Sequence, residues 1–273
     1  MLLQSLTRSI GWSLAFATLL IAVYAAAVFT RWGQVHLDVR GLGLPAASAA
    51  LVPLAWLRTG IPVAIGVVAV VVTVFGLARR RWREVATCAV CTVAGIAACI
   101  LLRDVVFVRP AYGAVDVVNS FPSVHVVTTL SLSIMVVRLW PVASTRRPVA
   151  AALVAATITE ALVSVATFAH RASDTVGGVL LVGVFASAFA RGLVPTPRQA
   201  LHCTRLGGII GGIAIVGGAV IAVAPFGVVQ YAGFTIATAA AVGVMSAIVM
   251  RVASGERDEP ARDRSRDLLN TPT

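Results

Sequence analysis

The sequence contains no lysine, and only 12% of its 273 residues are charged. A soluble domain of this length covers its surface with about 25% charged residues, so the shortage excludes a soluble globular fold. Cysteine is scarce too, at four residues, which excludes a disulfide framework. Cys88 and Cys91 form a CxxC pair, but with Cys99 they lie inside one apolar run. There they read as small residues that let helices pack closely rather than as a metal or redox site. Aromatic residues make up only 7% and are not interleaved with the basic ones. The net charge of +11 therefore does not signal a nucleic-acid binder: the arginines sit at the ends of apolar runs, not on a polar domain.

Hydrophobic residues make up 59% of the chain, and they fall in long uncharged runs. A helix needs ~20 such residues to cross ~30 Å of hydrocarbon. The runs predict an all-α polytopic membrane bundle with eight spans, at about 11–30, 61–78, 85–102, 124–141, 149–169, 174–190, 207–225 and 232–252. The first follows Arg8 and is longer than a signal peptide's h-region, with no clear cleavage site before Arg31, so it is expected to be retained. The short run Ala46–Leu57 contains Pro53 and reads as an interfacial or re-entrant piece. The tail from Ser254 mixes Arg with Asp and Glu and is expected to be disordered. The expected organisation is a six-span core over 1–192, two further spans over 193–252 and a tail over 253–273. No internal repeat is evident.

Arginine asymmetry sets the orientation. Arg79, Arg80, Arg81 and Arg83, then Arg146 and Arg147, then Arg191, Arg198 and Arg205 fall on one side with Arg8 and the tail. That side is expected to be cytoplasmic. Arg31, Arg40, Arg58, Arg103, Arg109 and Arg171 fall on the other.

Two outer segments concentrate ionisable groups. The first holds Arg103, Asp104, Arg109, Asp116, Asn119, Ser123 and His125; the second runs His170-Arg171-Ala172-Ser173-Asp174. Charged groups at membrane-helix ends are costly unless solvated or paired, which makes them functional candidates. His170 and Asp174 are four apart and share a face on a helical turn. A carboxylate bonded to one imidazole nitrogen fixes the tautomer and frees the other nitrogen to act as nucleophile or base. Arg109 and Arg171 offer forked donors suited to phosphate oxygens. Ser123 adds a hydroxyl, the following helix adds N-terminal amides, and His125 adds a second imidazole. HxxxD alone would also fit a metal pair, with His125 as the one further strong ligand.

These segments resemble the type 2 phosphatidic acid phosphatases, whose motifs run KxxxxxxRP, PSGH and SRxxxxxHxxxD. Here Arg103-x5-Arg109-Pro110, Pro122-Ser123-Val124-His125 and His170-x3-Asp174 follow in the same order. Asn119-Ser120-Phe121 resembles the usual lead-in to the second motif, and Gly177-Gly178 the usual exit from the third. The resemblance covers spans one to six, and a vanadate-dependent haloperoxidase shares this type of site.

The chain departs from the pattern at three places: Leu102 stands at the lysine, Val124 at the glycine and Ser164 at the arginine of the third motif. Arg103 and Arg171 are the candidates to replace the missing charges. The resemblance implies that His170 attacks phosphorus and forms a phosphohistidine, that Asp174 orients it, and that His125 protonates the leaving group. It implies that Arg109, Ser123 and the Val124 N–H hold the phosphate oxygens, with Arg103 and Arg171 beside them. No metal or organic cofactor is implied. The expected partner is a membrane lipid phosphate or diphosphate at the extracytoplasmic face, and no nucleic acid. Two rivals stand beside this reading: a degenerate member that binds lipid phosphates without hydrolysis, and a transporter or flippase using Glu160, which lies in the fifth span, together with the two extra spans.

Overall fold

The computed structural model describes residues 2–36, 42, 44–112, 118–189 and 227–254, and every regular element among them is helical. The helices are α1 (Leu2–Val23), α2 (Arg31–His36), α3 (Leu51–Ala78), α4 (Trp82–Leu101), α5 (Val124–Leu139), α6 (Arg146–Ala166), α7 (Ala172–Phe189) and α8 (Gly227–Ser254). Wider π turns extend α1 through Val28 and α4 through Val106. The chain is thus an all-α, multi-pass membrane bundle. Among the described residues, four stretches are long and apolar enough to cross a membrane: Ser9–Val28, Leu51–Ala78, Trp82–Val106 and Ala143–Ala166. Val124–Leu139, Ala172–Ala188 and Phe234–Met250 are apolar but shorter. The span expected at 207–225, the tail beyond Ser254, Asp116, Arg191, Arg198, His202, Cys203 and Arg205 lie outside the described residues.

The start of α3 differs most from the sequence reading. Leu51–Ala78 is a single helix, so most of the piece read as interfacial is the first two turns of α3. Pro53 is the third residue of that helix, where its missing N–H has no intrahelical partner to lose. The proline therefore starts the helix instead of interrupting it. Pro62 is accommodated further along the same helix.

Burial separates an inner pair of helices from an outer ring. Nearly every residue of α5 from Val126 to Leu139 is buried, as expected of a helix apolar on all sides and enclosed by others. It packs against α3, α4, α6, α7 and α8. In α7, Val179, Leu180, Leu181 and Val182 are likewise buried. By contrast, α3 exposes Val63, Val67, Val70, Val71 and Val74 on one side. That apolar outer surface is lipid-compatible and would be costly in water.

The other side of α3 lies on α5, and three contacts fix their register. A Cβ on Gly66 would lie 3.8 Å from Leu132, Thr73 Oγ1 lies 3.7 Å from Met135 Sδ, and a Cβ on Gly76 would lie 3.5 Å from Leu139. Both residue numbers rise together, so α3 and α5 run parallel.

Candidate functional site

The segment between α4 and α5 is tied down before it presents any charged group. Tyr24, at the end of α1, stacks on Phe107 with centroids 4.2 Å apart, and both rings meet Phe121. The Tyr24 hydroxyl donates to the Val108 carbonyl at 2.6 Å and accepts from the Val108 N–H at 3.0 Å. The Gln34 amide donates to the Val28 and Pro110 carbonyls at 2.7 and 3.0 Å. Asn119 staples the other end, donating to the Arg103 and Phe107 carbonyls at 2.8 and 2.9 Å. Arg109 sits between these anchors.

Asp174 is where the segments meet. It is fully buried at the start of α7. Its Oδ1 accepts from Arg109 at 3.2 Å, and its Oδ2 accepts a short bond from the Ser120 hydroxyl and another from the Arg171 N–H at 2.9 Å. Its backbone carbonyl accepts from the Ser123 N–H at 2.9 Å. One residue thus binds the Arg109 loop, the Ser120–Ser123 turn and the His170–Arg171 turn. Asp174 brings into contact residues as far as 65 positions away in sequence.

His170 is held beside this carboxylate. A turn follows α6 in which Phe168 takes φ 60°, a left-handed conformation costly for a side chain of that size. The turn lets the His170 N–H donate to the Ser164 carbonyl at 3.0 Å. The His170 ring then places Nδ1 3.6 Å from Asp174 Oδ2, an ion-pair separation slightly beyond hydrogen-bond range. His170 is 6% exposed. The half-buried His125 ring stands across from it, with centroids 5.7 Å apart and planes at 69°.

Ser123 caps α5, its hydroxyl accepting from the Val126 N–H at 3.5 Å. Val124 and His125 are the first two residues of α5, where amides have no intrahelical carbonyl to bind. The positive end of that helix therefore points at the space beside His170.

Two glycines allow α7 to reach this turn. A Cβ on Gly178 would lie 2.9 Å from the Ser123 carbonyl, and one on Gly177 would overlap the buried Phe121 ring. Gly177→Ala is expected to push α7 away from the Ser120–Ser123 turn, at a cost of about 1–3 kcal/mol. The melting temperature in detergent should fall. An unchanged melting temperature would mean that the two segments are not packed as described.

The candidate residues do not all converge. Arg109, Ser123, His170 and Arg171 gather around Asp174, and His125 faces His170. Arg103 instead bonds its neighbour Asp104, with Nε 2.6 Å from Oδ1, and both side chains are partly exposed. Ser164 directs its hydroxyl to Glu160 Oε1 at 3.0 Å, deep in α6. Glu160 is fully buried, and its second oxygen has no hydrogen-bond partner among the described residues. Ser120 was visible in the sequence only as part of a lead-in, yet it binds the central carboxylate. Cys88, Cys91 and Cys99 are buried free thiols. Among the described residues, no group of three His, Cys, Asp or Glu side chains is placed to hold a metal ion.

Comparison with protein-family models, with curated proteins and with solved structures returns no match for this chain.

Proposed function

We propose that this protein is an integral-membrane phosphatase that hydrolyses a lipid phosphate or diphosphate at the extracytoplasmic face through a phosphohistidine. The observation that carries the reading is the convergence on Asp174. Arg109, Ser120, the Ser123 turn and His170 all touch it, and His125 faces His170 from the next helix. The order of the three motif-like segments supports the same reading.

In this mechanism Asp174 favours the tautomer with the proton on His170 Nδ1, leaving Nε2 with its lone pair. Nε2 attacks phosphorus as the ester P–O bond breaks, and His125 gives its proton to the departing oxygen. Water then attacks the phosphorus with His125 as base. The N–P bond breaks, inorganic phosphate leaves and both imidazoles are restored. The α5 amides and the Arg109 and Arg171 guanidiniums hold the equatorial oxygens, where charge stabilisation contributes most. A guanidinium fork can keep Asp174 on one edge while offering the other to phosphate.

The proposed topology has eight spans and cytoplasmic termini, which puts the site on the outer side, where its lipid substrate reaches it. Candidate substrates are a polyprenyl diphosphate, phosphatidic acid or phosphatidylglycerophosphate. The test is phosphate release from a panel of these lipids by detergent-purified protein in excess EDTA. Release that survives EDTA supports a metal-free mechanism, and a requirement for added divalent metal sinks it.

A second reading has its own observation. Ser164 is bound to Glu160 and Arg103 to Asp104, so neither supplies the site. In that reading the chain binds lipid phosphates without cleaving them. Activity appearing only in Val124→Gly/Ser164→Arg would establish the binder. The transporter reading rests on buried Glu160 alone, and it requires Glu160→Gln to abolish lipid movement while sparing any hydrolysis.

A further inference from the structure

We propose that Arg58 is an oxyanion-binding residue of the His125–His170 site, reaching it from α3 and supplying positive charge that positions 102 and 164 lack. The inference rests on the phosphatase reading and adds a residue that none of the three motifs contains.

The register of α3 carries the argument. Its buried residues are Ile65, Ala69, Val72 and Gly76, a stripe with steps of four, three and four residues. Arg58 lies seven positions before Ile65, about 20° from the same line, so it continues the inward stripe. Gly66 sits level with Leu132, and the two helices run parallel. Counting back seven or eight residues along each brings Arg58 level with His125. The side chain agrees with that placement: Arg58 Nε is buried, with no hydrogen-bond partner among the described residues. The residue as a whole is half-buried.

Arg58 also lies within electrostatic reach of both His125 and Glu160. Those two groups account for its position. Glu160 is a carboxylate within that reach, and a nearby acid makes a cation tolerable at this depth. His125 marks the place where a tetrahedral oxyanion would sit between the imidazoles. Arg103 reaches His125 electrostatically as well, but its guanidinium is already bonded to Asp104. Arg171 approaches from the α7 side and Arg109 from the loop, so Arg58 would close the third side.

The test is orthovanadate and inorganic phosphate binding to the full chain in detergent, by calorimetry, for wild type, Arg58→Gln, Arg58→Lys and Glu160→Gln. Arg58→Gln is expected to raise both dissociation constants by about tenfold or more, the loss of one charge-assisted hydrogen bond. Arg58→Lys should fall between, because it keeps the charge and loses the fork. Glu160→Gln should tighten binding roughly several-fold, by removing a carboxylate whose charge offsets that of Arg58. Vanadate binding within about twofold of wild type in a folded Arg58→Gln would overturn the proposal, that factor being under a third of the energy of such a bond. If Arg58→Gln does not fold, unchanged binding in Glu160→Gln overturns it instead. Weakening confined to a lipid phosphate, with both free anions unaffected, also counts against it, since Arg58 would then hold another part of the lipid. A wild type that binds no vanadate and releases no phosphate would remove the phosphatase reading itself. A wild type that does both, with the variants unchanged, removes only the role of Arg58.

Discussion

His170→Ala should lower phosphate release by at least about 1,000-fold while leaving the protein folded, since removing a nucleophile costs a covalent mechanism most of its acceleration. The fold should tolerate the change. His170 contributes its backbone N–H to the Ser164 carbonyl, and alanine keeps that bond. Its Nδ1 is not within hydrogen-bond distance of Asp174, so alanine removes no hydrogen bond there. A second measurement identifies the intermediate. Wild-type protein quenched during turnover of a phosphorus-labelled lipid should retain label stable to alkali and labile to acid, as an N–P bond is, and His170→Ala should retain none. His125→Ala separates the steps: with the acid removed, a lipid alkoxide is a poor leaving group, so both turnover and labelling should fall. From a lipid diphosphate the leaving group is the lipid monophosphate, which departs more readily without protonation, so that substrate should be less affected. Wild-type turnover in His170→Ala would exclude the phosphohistidine and move attention to direct attack by water.

Much of the fold was legible because lipid imposes a one-dimensional rule. An apolar run of span length must be a helix, since its backbone groups find no partners elsewhere. The runs over α1, α4 and α6 were therefore readable from hydropathy alone. Pro53 misled because a proline disfavours a helix interior but suits its first turn, and the choice depends on where the helix begins. The sequence carries no cap there to mark the start: Ala50 makes no side-chain capping bond.

The site was legible where a short spacing implies a geometry. His170 and Asp174 are four residues apart and meet. Ser123 precedes an apolar run and caps it. Contacts set by packing across the bundle were not legible. Arg103 and Asp104 are neighbours, yet nothing in their spacing told whether Arg103 would turn to its neighbour or to the site. Arg58 is one of the six arginines expected on the outer side. Only the register of α3 on α5 puts it level with His125. Ser120 depends on the turn that folds it back onto α7, which the glycine pair permits.

Asp174→Asn should have the largest combined effect on stability and activity, because Asp174 is both an ion-pair partner and the orienting group. Its carboxylate and the Arg109 side chain are 0% and 1% exposed. Removing one member of a buried pair leaves the other charge uncompensated, a cost of about 3–5 kcal/mol. Asparagine keeps the shape and an acceptor oxygen for Ser120 or the Arg171 N–H, so the loss isolates the charge. Activity should fall by on the order of 10⁴, the size reported where an aspartate that orients a catalytic histidine becomes asparagine. The double variant Asp174→Asn/Arg109→Met then divides the two roles. Replacing a buried ion pair by neutral groups is often neutral for stability, so the double variant should regain most of the lost melting temperature. It should regain none of the activity, since His170 still lacks its carboxylate and the phosphate lacks a guanidinium. Recovery of both together would mean that Asp174 serves only to neutralise Arg109. A folded Asp174→Asn with full activity would show that His170 needs no orienting carboxylate, which the phosphohistidine mechanism does not survive.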